Sequence, residues 1–527
     1  MEQIKIIGAG LAGLSAAIHL AKKGIPVTLV SFQPSERAQS VMAEGGINGA
    51  MDTMGENDSP AEHAADTMRA GCDLADPKAV ENLTDHAPEL LEWLLRLGTP
   101  LHRKDGRLIQ RNFGEQKKKR TAYAQSSTGK VLMTALIDEC RKYEASWLIH
   151  RLSHHEFVSL SVRDRRCLGV WIRDDHNGVI FFLPGPVIFV SGGLNGFFPG
   201  MTTGTTANTG NAAADLFAQG VAFANLEFIQ YHPTTVQIPE KRMLISEAAR
   251  GEGGRLFVER NGSPWYFMEE KYPKLGNLMP RDVVAREMYY VMHDDSTGHQ
   301  VYLDLCGLSK QTWKEKLTDL REEIRYYLAI DPAKEPVPVS PGIHYFMGGI
   351  LVDKFHRTNI AGLYAAGECA CQYHGANRLG GNSTLGAIFG GKTAAETAAA
   401  EMADFQSGET QEKAPVWIES VPRRAKHLRD VLLSGLGILR TETGLKEALE
   451  QLENLSAVQD QTESNRRLLA KAMLLSALER RESRGAHTRT DYPDRDDEHF
   501  RKTSIVQIQN GAFVHHFAAI GKEMHND

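Results

Sequence analysis

The chain begins with two short apolar runs separated by a glycine motif and an amphipathic stretch. Residues 3–7 are the first run, a GxGxxG motif covers residues 8–13, and apolar positions at helical spacing continue to residue 24. Residues 26–30 form the second run. This order predicts a strand, a glycine turn, a helix and a second strand, which is the βαβ unit that holds a dinucleotide with its pyrophosphate at the helix N-terminus.

The residue after the second run leaves the identity of the nucleotide open. Ser31 stands where folds of this kind usually carry an acid that bonds a ribose hydroxyl. A serine hydroxyl can make the same bond more weakly. The motif by itself therefore predicts a dinucleotide without saying which one.

Periodicity further along the chain predicts the remaining elements. Residues 60–95 have helical spacing, while apolar alternation over residues 157–162 and 169–172 predicts a pair of antiparallel strands. Residues 186–190 are predicted to form a buried strand. A polar stretch from 404 to 415 is interpreted as a linker, and the chain after it has mostly helical spacing.

Composition narrows the class of protein. The 527 residues are 42% hydrophobic and 24% charged, as in a globular protein, and the net charge of -6 gives no general attraction to nucleic acid or anionic lipid. The basic run at residues 117–120 is predicted to be a solvated loop. No segment reaches the roughly 18 apolar residues of a membrane span, and the first residues do not resemble a signal peptide, so we expect a cytoplasmic protein.

The six cysteines bear on the cofactor. They are scattered and show no CxxC spacing, which argues against a metal site, an iron–sulfur cluster or a disulfide framework. Any electron transfer in this chain must then use an organic cofactor. The expected metal content is none.

Several later segments match one family in order and approximate spacing. They lie at residues 37–50, 230–234, 244–254, 280–282, 341–350, 361–369, 375–385 and 481–487. Together they resemble the fumarate reductase and succinate dehydrogenase flavoprotein subunits, to which the L-aspartate oxidases are related. The resemblance runs from the first strand to about Arg501. Phe346 and Thr384 depart from the family's usual threonine and leucine, which leaves the fine shape of the pocket open.

The resemblance implies FAD as the cofactor. In the respiratory members a histidine in the glycine-rich loop bonds the flavin covalently, and Gln39 takes that position here, so we expect non-covalent FAD. The implied cofactor-binding residues are Gly8, Gly10, Leu11, Ala12, Gly13, Ser31, Ser40, Gly45, Gly46, Gly192, Gly193, Asn208, Thr209, Gly210, Glu368, Ser383 and Leu385.

The resemblance also implies the substrate site and the chemistry. The family's ligands for a small dicarboxylate correspond to His232, Ser246, His344, Arg378 and Phe113. Arginine pairs with carboxylates in a fork, and histidine and serine add directional donors. The family transfers a hydride from flavin N5 and a proton from an arginine. That proton donor corresponds to Arg281, and its relay to Glu247 and Arg250.

Three functions remain open at this point. Fumarate reduction is favoured because Phe113 stands where L-aspartate oxidases carry a glutamate suited to an amino group, and because Gln39 precludes the covalent link that helps the flavin accept electrons from succinate. The alternatives are an L-aspartate oxidase and an electron-transfer subunit that depends on an iron–sulfur partner. The expected partners are a dicarboxylate and either an iron–sulfur subunit or a soluble electron donor. A partner subunit could hold the chain at the inner face of a membrane.

The predicted fold class is α/β. We expect a Rossmann-type FAD-binding domain from residues 1–229 and 342–403, interrupted by an α+β capping domain at 230–341. Between about residues 227 and 341 the compact alternation gives way to irregular stretches rich in charge and proline, which supports that division. A C-terminal, mainly helical domain is predicted over residues 404–527.

Overall fold

The computed structural model of the chain describes residues 3–239, 241–405, 413–417, 422–456 and 460–521. The central part of the predicted linker, residues 406–412, lies outside the described residues. The domain boundaries stay predictions.

The first region is built around the glycine turn. Its elements are β1 (Ile4–Ile7), α1 (Leu11–Lys22), β2 (Val27–Ser31), β3 (Ile47–Asn48), α2 (Pro60–Ala70), α3 (Pro77–Arg96), β4 (Arg103–Lys104), β5 (Arg107–Leu108), β6 (Gln110–Arg111), β7 (Thr121–Ala122), α4 (Thr128–Ala145), β8 (Ile149–Ser153), β9 (His155–Arg163), β10 (Arg166–Asp174), β11 (Ile180–Pro184), β12 (Val187–Phe189), α5 (Asn211–Ala218) and β13 (Phe223–Ala224). Strands β1 and β2 are parallel, with Ile6 opposite Leu29. Helix α1 ends before Gly24, whose φ of 74° suits the left-handed residue that terminates helices. The predicted βαβ unit is confirmed.

The middle region has a sheet and a core of its own. Its elements are β14 (Ile229–Ile238), β15 (Lys241–Leu244), α6 (Glu247–Gly251), β16 (Arg255–Arg260), β17 (Ser263–Trp265), α7 (Phe267–Lys271), α8 (Arg281–Met292), β18 (Thr297–Asp304), α9 (Lys310–Glu315), α10 (Thr318–Leu328) and β19 (Val337–Phe346). The strands form a six-stranded sheet in the order β15-β14-β19-β18-β16-β17, and each pair in it is antiparallel. Val258, Leu303 and Trp313 belong to an apolar cluster between this sheet and its helices.

The last region completes the nucleotide-binding sheet and then adds helices. Its elements are β20 (Gly349–Leu351), β21 (Leu363–Ala365), β22 (Ala370–Cys371), α11 (Asn382–Glu401), α12 (Pro422–Gly435), α13 (Glu442–Glu453), α14 (Gln461–Glu479), α15 (Asp497–Phe500), β23 (Thr503–Gln509) and β24 (Ala512–Ala518). Strand β21 adds to a parallel sheet in the order β21-β12-β1-β2-β8, against which α1 and α11 pack. The hairpin of β23 and β24 joins a second sheet through β13.

Buried ion pairs hold distant parts of the chain together. The sequence predicts a solvated loop at residues 117–120, and this is wrong for Arg120, which donates to Asp58 at 2.8 Å and to Asp66 at 2.7 Å with its side chain wholly buried. Two carboxylates compensate the buried guanidinium, so its burial is tolerated. Near the C-terminus, Arg480 donates to Glu227 at 2.6 Å and ties the end of α14 to the first region.

None of the helices in the described part of the chain combines the length and the apolar character that a bilayer crossing needs.

Candidate active site

A cavity of about 610 Å³ extends from the glycine turn after β1 to the six-stranded sheet of the middle region. Small-molecule sites commonly have volumes of roughly 300–1,000 Å³. One part of the wall is backbone and small side chains, including Gly8 and Gly10. The opposite part carries His232, His344 and Arg281. The cavity therefore joins a nucleotide-type cradle to a polar pocket.

Close packing of backbone explains the glycines of the turn. A Cβ atom on Gly8 would lie 2.3 Å from the carbonyl oxygen of Val190, and one on Gly13 would lie 1.9 Å from the carbonyl oxygen of Gly8. Ser40 accepts a hydrogen bond from the backbone N–H of Leu11 at 3.2 Å, at the first turn of α1. Together these contacts bring the N-terminus of α1 to the cavity wall, where its unsatisfied N–H groups suit a pyrophosphate.

Most of the predicted cofactor residues line this cavity. They are Gly8, Gly10, Leu11, Ala12, Ser31, Ser40, Gly45, Gly46, Gly192, Gly193, Asn208, Thr209, Gly210, Glu368 and Ser383. The other two lie behind the wall. Gly13 packs on the turn itself, and Leu385 belongs to the apolar core around α1 and α11.

Two polar groups on the wall fit the sugar portions of FAD. The buried hydroxyl of Ser31 has no hydrogen-bond partner within the described residues, so it can serve a ribose hydroxyl. Burial raises the pKa of Glu368 to about 7, and its carboxylate accepts the N–H of Phe346 at 3.2 Å. The second carboxylate oxygen of Glu368 is suited to a ribityl hydroxyl. The residues present therefore fit FAD.

The loop that is expected to contact the flavin is fixed by neighbouring side chains. Thr384 donates its hydroxyl to the carbonyl oxygen of Gly46 at 2.7 Å and lines the cavity. Gln39 accepts the N–H of Thr205 at 2.7 Å, so its amide is used to hold a neighbouring loop. Phe346 is buried and stacks on Phe198 with ring centroids 5.9 Å apart, outside the residues that line the cavity.

Two neutral histidines face each other at the end of the cavity where the substrate ligands are predicted. The rings of His232 and His344 are 5.1 Å apart, and Thr203 hydrogen-bonds to Nδ1 of His344 at 2.8 Å. Burial and then the adjacent arginines lower the pKa of both histidines well below its ordinary value. Both rings are therefore uncharged at neutral pH. Ser246, which caps α6, and Phe113 line the same end of the cavity.

Gln230 organises the two arginines of the pocket. Its side-chain oxygen accepts from Arg281 Nη1 at 3.0 Å and from Arg378 Nη2 at 3.1 Å. The Arg378 guanidinium also lies 4.2 Å from the centre of the Tyr345 ring, and its buried Nε has no partner among the described residues. Burial, with Arg281 as the next contribution, lowers the pKa of Arg378 to about 10. An orphaned donor at this position is suited to a ligand carboxylate.

Glu247 connects the arginines of the predicted relay. Arg281 donates to one of its carboxylate oxygens through Nε at 2.8 Å and Nη2 at 2.7 Å. The other oxygen accepts the N–H of Gly114 at 3.0 Å and lies 4.0 Å from Arg250 Nη2. Burial alone would raise the pKa of Glu247, but Arg281 and Arg250 outweigh it and hold the pKa below its ordinary value. Arg250 lies behind Glu247, outside the residues that line the cavity.

Three polar residues in the cavity wall or directly behind it were not among the predicted site residues. Gln230 is buried behind the wall, two residues before the predicted ligand His232 on β14, and that closeness in the sequence is a signal that the sequence offered. Thr203 lies shortly before the predicted cofactor residues Asn208, Thr209 and Gly210 and gave no such signal. Glu44 has a buried carboxylate oxygen without a partner in the described chain, and burial, followed by Glu323, raises its pKa well above the ordinary value.

A dinucleotide cradle that opens onto a cationic pocket, with a carboxylate between two arginines, is the arrangement expected of a flavin-dependent oxidoreductase. Residues 4–384 match the family described as FAD binding domain, and residues 464–516 match the fumarate reductase flavoprotein C-terminal family. The chain belongs to the family of succinate dehydrogenase and fumarate reductase flavoprotein subunits, which L-aspartate oxidases also resemble. The expected family, enzyme class and FAD cofactor are confirmed.

Similar proteins cover almost the whole chain. The succinate dehydrogenase flavoprotein subunit of Bacillus subtilis is 37% identical over 550 residues, which cover 96% of this chain and 94% of that protein. The L-aspartate oxidase of Pyrococcus furiosus is 35% identical, and the match covers 96% of this chain and 99% of that protein. A structure of the Escherichia coli quinol fumarate reductase has a TM-score of 0.88 at 28% identity, covering 100% of this chain and 97% of that one. The predicted α/β fold class is confirmed.

Proposed function

We propose that the protein reduces fumarate, or a dicarboxylate of the same size, to the saturated acid. The observation that carries the proposal is the charge of the pocket. Arg281 and Arg250 flank one ionised carboxylate, that of Glu247, and Arg378 meets Arg281 at the side-chain oxygen of Gln230, while the two histidines are neutral. This cluster of three guanidinium groups and one carboxylate therefore has an excess of positive charge, which matches a dianion.

The residues of the pocket have distinct parts in the proposed reaction. Arg378 binds one carboxylate of the substrate through its orphaned Nε, and the histidines and Ser246 donate to the substrate oxygens. Because these groups are buried, water is kept from the reacting bond. FAD supplies the hydride when it is bound and reduced. Arg281 supplies the proton to the other carbon of the double bond.

An arginine is a weak acid, so it requires a fast source of replacement protons. Glu247 accepts two hydrogen bonds from Arg281 and lies 4.0 Å from Arg250. A proton can pass from Arg250 to Glu247 and then to Arg281 with only small side-chain movements. Burial lowers the pKa of Arg250, which makes its proton easier to release.

The choice of fumarate over L-aspartate rests on Phe113 and on Gln39. The buried Phe113 ring has no carboxylate to pair with a substrate ammonium group, and a neutral glutamine replaces the histidine that carries the covalent flavin in the respiratory enzymes. Glu44 is a further acidic residue of the cavity wall. Its raised pKa makes it neutral over a wide pH range and therefore a poor counter-ion.

L-Aspartate oxidation is the second candidate, favoured by relatives of that name at 35% identity. Purified protein should be assayed with reduced viologen and fumarate, and separately with L-aspartate and oxygen. We expect fumarate-dependent oxidation of the viologen. Peroxide and iminoaspartate from aspartate, without fumarate turnover, would reverse the assignment.

Arg281→Lys is the matched variant for that assay. It keeps the positive charge but loses the fork that holds Glu247, so turnover should be abolished while the flavin spectrum is retained. A normal rate would remove Arg281 from the acid role.

We further propose that reduced flavin is regenerated by another protein, either an iron–sulfur subunit or a soluble donor. Several relatives are named as flavoprotein subunits. No group of three His, Cys, Asp or Glu side chains in the described residues is arranged to hold a metal. Size-exclusion chromatography of the isolated chain, with tests of candidate donors, would distinguish a subunit from a self-sufficient enzyme.

A further inference from the structure

A short segment beyond the predicted linker, residues 413–417, reaches the far end of the cofactor cavity. Its last residue, Trp417, is half-buried and lines the cavity together with Glu156, Phe157 and Asp175. This is the end opposite His232 and Arg281. Nothing in the proposed reaction uses a tryptophan at this position.

Two contacts fix the indole of Trp417. Its Nε1–H donates to Glu156 Oε2 at 3.0 Å, and the guanidinium carbon of Arg173 lies 3.9 Å from the centre of the ring. Arg173 also donates to Asp175 at 3.0 Å. Glu156 and Arg173 are opposite each other in the antiparallel pair of β9 and β10, so one small sheet holds the ring from two sides.

The topology identifies this end as the adenosine end. Ser31 is the last residue of β2 and pairs with Ser153 at the end of β8, directly before β9 begins. In dinucleotide folds the end of the second strand contacts the adenosine ribose. Asp175, the ion-pair partner of Arg173, lines an adjoining depression together with Phe32, which directly follows β2, so Arg173 lies near that strand end. The substrate groups are at the other end, where the flavin ring must lie for reaction.

We propose that Trp417 is an adenine-stacking residue that closes the adenosine end of the FAD site, so that the connection to the C-terminal helices helps to retain the cofactor. A flat aromatic ring lining the cavity at this end offers a face to a nucleobase. Stacking of one base on an aromatic side chain contributes about 1–3 kcal/mol, which corresponds to a change of roughly 5- to 150-fold in affinity.

The test measures the binding of the two halves of the cofactor in separate experiments. Full-length apoprotein is titrated with ADP and, in a separate experiment, with FMN, for the native chain and for Trp417→Ala, Trp417→Phe and Trp147→Ala. Trp147 is 86% exposed and serves as the matched control. Trp417→Ala should weaken ADP binding by on the order of 10-fold and leave FMN binding unchanged. Trp417→Phe should restore most of the ADP affinity, and Trp147→Ala should behave as the native chain.

The phenylalanine variant distinguishes stacking from anchoring. Phenylalanine keeps an aromatic face but cannot donate a hydrogen bond to Glu156. Stacking on adenine requires only the aromatic face, so the phenylalanine variant should still bind ADP. Unchanged ADP affinity in Trp417→Ala would overturn the proposal. Equal losses of affinity for ADP and FMN in Trp417→Ala would mean that Trp417 only anchors the segment, and would also overturn the proposal. The same conclusion would follow if Trp417→Phe bound ADP as weakly as Trp417→Ala.

Discussion

Gln230→Glu adds one negative charge at the point where the two pocket arginines meet. The side chains have almost the same shape, and the Gln230 oxygen already lies 3.0 Å from Arg281 and 3.1 Å from Arg378. The new carboxylate would be compensated by both guanidinium groups, so we expect the variant to fold and to bind FAD. The variant also loses the amide that donates to Asn377 Oδ1 at 2.7 Å and to the carbonyl oxygen of Arg378 at 3.1 Å, so a second variant without the added charge is needed to isolate the effect of the charge.

The expected loss of substrate affinity follows from the distances. A substrate carboxylate on the far side of either guanidinium would lie about 5–6 Å from the new charge, and with an effective dielectric constant of about 20 the two would repel by about 3 kcal/mol. This corresponds to roughly 100-fold weaker binding of a dianion. The KM for fumarate should rise accordingly.

Steady-state reduction of fumarate by reduced viologen measures the KM, and the shift of the flavin spectrum on titration with malonate measures the binding of a dianion that does not react. Gln237→Glu, at an exposed position on the same strand, is the matched control. Gln230→Met removes the shared acceptor without adding charge. If Gln230→Glu and Gln230→Met raise the KM equally, or if neither does, the electrostatic reasoning is refuted.

Three further predictions concern the relay, the cofactor and pH. Glu247→Gln should lower turnover by about 10²- to 10⁴-fold with FAD still bound, because an amide cannot pass a proton between Arg250 and Arg281; normal turnover by stopped-flow would exclude the relay. Acid precipitation should release all of the flavin into the supernatant, because the amide of Gln39 forms no covalent link; colour in the pellet would contradict this. Burial raises the pKa of Glu368 from 4.5 to about 7, so its contribution to apoprotein stability is complete below about pH 4.5 and is lost as the pH rises through 7. In urea unfolding at pH 8, the free energy of unfolding of the Glu368→Gln apoprotein should therefore exceed that of the native apoprotein by up to about 3 kcal/mol. At pH 4.5 the two should be equal. The same difference at both pH values would be inconsistent with this cause.

The sequence predicts the glycine turn and its βαβ unit well because their signals are local. The GxGxxG turn, the apolar run before it and Gly24 at the end of α1 are each set by neighbours a few residues away. Backbone sterics restrict these positions strongly, so a short motif contains nearly all of the required information.

Contacts between distant residues could not be predicted in the same way. Arg120 meets carboxylates 62 and 54 residues earlier, and its burial reverses the prediction of a solvated loop. Gln230 bonds to arginines 51 and 148 residues later. A motif can suggest that each residue matters, but only the packing of separate elements determines which charges are paired. Phe346 is the converse case, since an unusual residue within a motif proves to be buried away from the cavity.

The contacts that assemble the chemistry are also those that join the capping region to the cofactor region. Gly114, before α4, donates to Glu247 on α6, and Arg378, before α11, donates to Gln230 on β14. Each bond has one end in the predicted FAD-binding domain and the other in the predicted capping domain. The relay and the anion pocket are therefore complete only when the two regions are in contact. A bound dianion that engages Arg378 on one side and Arg281 on the other would reinforce the same contact, so substrate binding and the alignment of the proton donor are expected to be coupled.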